Sequence, residues 1–189
     1  MSKLFSILQA QGFVDNSNDK IVELGLQRLK TIVLDILFSL LVSFLFGDLI
    51  VGILFELSYC ILRVYAGGYH APTKFICTWF SYISVLLFLI LIFFLPLGSI
   101  AMHMLLCAAM LSIVLFSPVE NKNKPLSSRE KQVYRRNSLL IAAMELAAYL
   151  LLFFNNTALY AKTICLAICL VAIGQIADVL QKKITKNSH

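Results

Sequence analysis

A histidine and a cysteine seven positions apart, His70 and Cys77, lie in a short polar interruption between two apolar runs, RVYAGGYHAPTKFIC at 63–77. The thiolate, not the thiol, is the nucleophile, and an adjacent imidazole is a common base for making it. His70 and Cys77 are therefore a candidate base and nucleophile. Arg63 and Lys74 flank them, and positive charge favours the thiolate further. Gly67-Gly68 permits a tight reversal with positive φ. Pro72 suits the first position of a following helix, which would place Cys77 one to two turns into that helix. A loop folded back over the helix start then brings the imidazole within reach of the sulfur. A lone pair at this spacing also arises without chemical meaning. The Gly-Gly setting at the edge of an apolar segment, with an arginine ahead, is what favours catalysis.

The surrounding chain is built to hold such a segment at a membrane boundary. It is 60% hydrophobic and 14% charged, with a mean hydropathy of +0.86, against about 45–50% apolar and about 25% charged in soluble domains. One integral-membrane domain spanning 1–189 is the expectation. Residues 3–14 and 19–30 mix apolar and polar positions and suit amphipathic helices lying on the membrane face. The apolar stretch from 32 to 62 would be about 46 Å long as one helix, too long for a single crossing. Gly47-Asp48 divides it into spans at about 30–47 and 49–63. Pro96-Leu97-Gly98 divides the next into about 75–95 and 98–117, and Asn155-Asn156-Thr157 the last into about 138–154 and 159–180.

The expected fold is thus all-α, with six transmembrane helices, N-terminal interfacial helices and both termini cytoplasmic. Six crossings place every one of the 16 Lys and Arg residues except Lys162 on one side. Positive charge is retained on the cytoplasmic side, where a reactive thiol stays reduced.

The set Arg63, Gly67-Gly68, His70 and Cys77 resembles the signature of the accessory gene regulator B (AgrB) family. Pro118-Val119-Glu120-Asn121 and Lys124-Pro125 after the fourth span, the length and the span count extend the likeness over the whole chain. The resemblance implies a membrane cysteine endopeptidase, multi-pass in the cell membrane, that processes a quorum-sensing pro-peptide. Cys77 would be the nucleophile and His70 the general base. An AgrD-like precursor would be cut, held as a thioester and closed into a thiolactone or lactone. The resemblance also implies a homodimer, and the chemistry needs no cofactor or metal.

Other polar residues have two readings each. Arg63 either holds a substrate carbonyl or carboxylate, or reaches for lipid headgroups. Glu56, two turns earlier on the same face, either orients His70 or pairs with Arg63. Asp35 and Asp178 are expected near the cytoplasmic boundary. Glu56 and Glu145 are deeper, and either pair structurally or serve a substrate path or catalysis. His103 is expected to be a satisfied bundle histidine. Among the five cysteines, Cys165 and Cys169 share a helix face but read as core.

Lys124, Arg135 and Arg136 belong to a basic segment, 118–137, that either fixes topology near anionic lipid or docks an acidic precursor segment. The basic residues form no broad face, which argues against nucleic acid. Two rival readings are a small-peptide or ion transporter, with Glu56 and Glu145 along its path, and a non-enzymatic assembly factor.

Overall fold

The computed structural model describes residues 19–68, 73–120 and 126–187. These form six helices: α1 (Asp19–Leu45), α2 (Leu49–Ala66), α3 (Lys74–Phe94), α4 (Ser99–Phe116), α5 (Ser128–Phe154) and α6 (Ala158–Asn187). The only extended pairing among the described residues is a single bridge between Gly67 and Val119. The expected helix at 3–14 lies outside the described residues.

Helices begin where a side chain can satisfy their orphan N–H groups. Asp48 accepts the Ile50 N–H at 2.9 Å and so starts α2. Thr73 accepts the Ile76 N–H at 3.3 Å and starts α3. Ser127 and Glu130 exchange hydrogen bonds at the start of α5 in a capping box.

Three elements run further than hydropathy suggests. The amphipathic stretch from 19 to 30 and the first apolar run are one helix, because nothing between Lys30 and Thr31 stops it. The segment expected as a loop at 118–137 is already helical from Ser128, since its capping box governs the backbone whatever the charge of the next turns. For the same reason of an absent breaker, α6 continues past residue 180 to Asn187.

Two compact units divide the chain, Met1–Phe38 and Ser39–His189. In the first, the described turns of α1 expose Leu29, Ile32, Val33, Leu34 and Leu37. In the second, α6 is the central element and packs against α2, α3, α4 and α5. Its residues Thr163–Ala172 are buried without interruption. Small side chains such as Ala167 and Ala172 let the neighbours approach closely, as in membrane bundles generally. The last turns of α1 cross α2 at Gly52, where a Cβ would lie 2.7 Å from Ser43 Oγ.

Among the described residues, four helical segments are long and apolar enough to cross a membrane: Leu49–Ala66, Ser99–Phe116, Ser128–Phe154 and Ala158–Ile184. Thr78–Phe94 is a shorter apolar helical stretch. Eighteen residues of helix span about 27 Å, close to the thickness of the hydrocarbon core. The outward faces are correspondingly greasy: Ile100 is 79% exposed, and Phe75, Phe94, Met104 and Phe154 are also exposed. So much exposed apolar side chain suits lipid rather than water. This is a helical membrane protein.

Candidate active site

The glycine pair lies where α2 ends. Gly67 takes φ 76° and ψ −168°, a combination close to glycine-only territory. Its N–H donates to Arg63 O at 3.0 Å, closing the helix. Val119 N–H donates to Ala66 O at 3.0 Å, so the Pro118-Val119-Glu120 loop lies directly on the turn. A Cβ on Gly67 would come within 2.4 Å of Val119 O. Gly68 faces α6 at ordinary van der Waals distance: a Cβ there would fall 3.6 Å from the Gly174 carbonyl carbon and 3.5 Å from Arg63 Nη1. The Arg63 guanidinium also sits over the Tyr59 ring, 5.4 Å from its centroid, a cation–π contact.

Gln175 ties this junction together from within α6. Its Nε2 donates to Ala66 O at 3.0 Å and to Ser117 Oγ at 2.9 Å. The side chain is fully buried. The start of α5 closes another side. Arg135 donates to Ser117 O at 3.2 Å and to Val114 O at 3.3 Å. Both carbonyls sit at the C-terminal end of α4, where a cation suits the helix dipole. Tyr65 and Tyr134 meet edge to face at 5.7 Å. Lys182 from α6 donates to the Glu120 carbonyl and pairs with Asp178 at 2.5 Å.

Glu120 pairs with Lys131 at 3.0 Å and accepts the Leu126 N–H at 3.3 Å. The Lys131 hydrogen bond holds the Glu120 carboxyl below the usual carboxylate range. A carboxyl lowered on folding contributes stability above its unfolded pKa, and that contribution is lost as pH falls through the folded value. The thermal unfolding midpoint of the detergent-solubilised protein should therefore fall on acidification below about pH 4.3. Glu120→Gln should lower the neutral-pH midpoint slightly and flatten that fall.

The sequence-derived residues distribute as follows. Arg63, Gly67 and Gly68 come together with the Pro118-Val119-Glu120 loop and with Arg135. His70 and Lys124 lie outside the described residues. Cys77 is the fourth residue of α3, still within its first turn, where the positive end of the helix dipole favours an anion. Arg135 serves as a clamp on the end of α4 rather than as a free cation. Arg136 lines a shallow groove with Gln132, Arg135, Leu139 and Leu140.

Glu56 is buried, and Cys60 Sγ donates to its Oε2 at 3.2 Å. It lies about 10 Å along α2 from Arg63. Glu145 is 8% exposed and shares the inward stripe of α5 with Ser138, Ala142 and Tyr149. His103 donates through Nδ1 to Ser99 O at 2.5 Å and packs edge-on against Tyr149 and Phe153. Cys165 and Cys169 are buried, with their thiols directed at the Met102 and Leu105 carbonyls.

Sequence reasoning passes over Gln175, Ser117 and Lys182. A signal for the first exists, since Gln175 is the lone amide in the apolar run from 163 to 177 and follows Gly174.

Comparison with known proteins adds a second line of evidence. The family model described as "Accessory gene regulator B" matches residues 1–175. A curated protein of Clostridium perfringens (strain 13 / Type A), "Putative AgrB-like protein 2", is 24% identical over 168 residues, covering 82% of this chain and 77% of its own. No solved structure matches.

Proposed function

This chain belongs to the accessory gene regulator B family, and from that premise we propose that it is a membrane cysteine endopeptidase acting on an AgrD-like pro-peptide. Family membership supports a part in quorum-sensing peptide processing. The finer reading rests on Cys77 and His70. The observation that carries it most is the Gly67–Val119 junction. It anchors the chain three residues before His70 to the loop, α5 and α6, as a catalytic loop on a rigid scaffold requires.

In this reading His70 takes the proton of Cys77, and the thiolate attacks the carbonyl at the cleavage point. The C–N bond breaks, the proton passes to the departing amine, and the N-terminal part of the precursor remains as a thioester. An internal thiol or hydroxyl of the precursor then attacks that thioester. The ring ester forms and Cys77 is released. Exchange of one thioester for another is nearly isoenergetic, so ring closure needs no cofactor provided water is excluded.

The topology that suits this chemistry has α1 and α3 crossing as well, giving six spans. The α2–α3 turn, the α4–α5 loop and both termini then share the cytoplasmic side. A homodimer, and contact of the basic helix starts with anionic lipid, belong to the same proposal. Cysteine-accessibility mapping of single-cysteine variants tests the topology. A label at Gly68→Cys that enters only from the periplasmic or outer face would contradict it.

Docking of an acidic precursor segment is assigned to Arg136, whose groove is open, rather than to Arg135, which is engaged with α4. Arg136→Glu should raise the KM for the precursor by about 5–20-fold with little change in kcat, because charge at a rim acts mainly on encounter. Arg135→Glu should instead lower the unfolding midpoint, each lost charged hydrogen bond at this partly exposed site being worth about 1 kcal/mol. Equal KM values for wild type and Arg136→Glu would remove the docking role.

A further inference from the structure

Gln175 meets the end of α2 at the glycine motif. Its amide joins three elements at one point: the last carbonyl of α2 at 3.0 Å, the Ser117 hydroxyl after α4 at 2.9 Å, and α6 itself. Ala66 O can only accept, so Nε2 must face it, and Oε1 is left buried without a hydrogen bond. A buried amide with an orphaned oxygen is a poor device for stability alone. Ala66 O would also remain satisfied without it, because Val119 N–H donates to the same oxygen. Gln175 thus adds little that the junction lacks energetically, but among the described residues it alone connects Ala66 and Ser117 to the central helix by hydrogen bonds.

We infer that Gln175 is a positioning residue for processing: it fixes the α2 terminus, and hence the Gly67-Gly68 turn that leads into the catalytic loop, in register with α6. It acts through the backbone of Ala66 and Gly67 and does not touch substrate, being fully buried. The inference rests on the proposed endopeptidase reading. A misplacement of about 1 Å can cost about 100-fold in rate, so a modest slackening here has a large catalytic consequence.

The test uses the full chain reconstituted in vesicles with a synthetic AgrD-like precursor. Gln175→Met keeps the side-chain volume and removes both donors. Its kcat should fall about 10–100-fold with KM within about twofold, while the unfolding midpoint stays within about 4 °C of wild type. Ser117→Ala should give a smaller loss and Ser117→Thr, which keeps the hydroxyl, near-normal rates. Ser117→Ala combined with Gln175→Met should be no worse than Gln175→Met alone, since both remove one linkage. An unchanged kcat in Gln175→Met, a loss confined to KM, or additive losses in the double variant would overturn the inference while leaving the endopeptidase reading intact. Processing by Cys77→Ala at the wild-type rate would instead overturn that reading itself.

Discussion

Cys77→Ala should reduce precursor processing to background, a loss of at least about 10⁴-fold, while the protein still inserts. The reaction has no alternative route to the acyl intermediate, so removing the sulfur removes the step. Serine at 77 should recover very little, because its hydroxyl is not ionised by an imidazole alone to a useful extent.

His70→Ala should lose about 10²–10⁴-fold, the usual contribution of a general base. Part of that loss should return at higher pH, as a free thiol ionises unaided near about 8.5. Co-expression with a tagged precursor, read by mass spectrometry and by immunoblot of the membrane fraction, separates lost chemistry from lost protein. Retained processing in Cys77→Ala would exclude this sulfur as nucleophile.

The second large effect is expected at Gly67, which has no side chain to take part in the chemistry. Alanine there is opposed twice. The backbone has φ 76°, worth about 1–3 kcal/mol against a side chain. The new Cβ would also meet Val119 O at 2.4 Å, against a backbone carbonyl that cannot rotate away. The loop or the α2 terminus must move, breaking the Val119–Ala66 hydrogen bond or the contacts of Gln175.

Gly67→Ala should therefore cut processing by about 100-fold or more and lower the unfolding midpoint by several degrees. Gly98→Ala is the matched control: its φ is −69° and a Cβ there meets nothing within 4 Å. Equal behaviour of the two variants, in activity and in thermal unfolding, would contradict the close junction of the glycine turn with the 117–120 loop.

Much of this architecture is legible in the amino-acid order, and the illegible part has physical causes. Gly47-Asp48, Pro96-Leu97-Gly98 and Asn155-Asn156-Thr157 mark helix breaks because each carries a residue that caps, kinks or tolerates positive φ. Asn156 does adopt φ 60°. Helix extent is harder to read. Hydropathy senses the solvent a side chain prefers, whereas a helix continues until its backbone is capped or broken. Lys131, Arg135 and Arg136 therefore read as loop residues although Ser127 and Glu130 have already started α5.

The candidate site divides in the same way. Gly67-Gly68 and the Pro118-Val119-Glu120 stretch are visible as separate motifs, but their meeting is a tertiary fact that spacing does not encode. Arg135 shows the limit most plainly. Its charge suggested a partner outside the chain, and its hydrogen bonds go to the carbonyls of Val114 and Ser117. His70 and Lys124 fall outside the described residues, and for Cys77 only the backbone position in the first turn of α3 bears on the reading.

The most direct measurement is the intact mass of the reconstituted protein, quenched in acid during turnover of the synthetic precursor. A covalent adduct equal to the N-terminal precursor fragment, mapped to Cys77 and released by neutral hydroxylamine, is the expected result. Continued turnover with no such adduct, or an adduct on any other residue that persists in Cys77→Ala, would contradict covalent catalysis by this thiol.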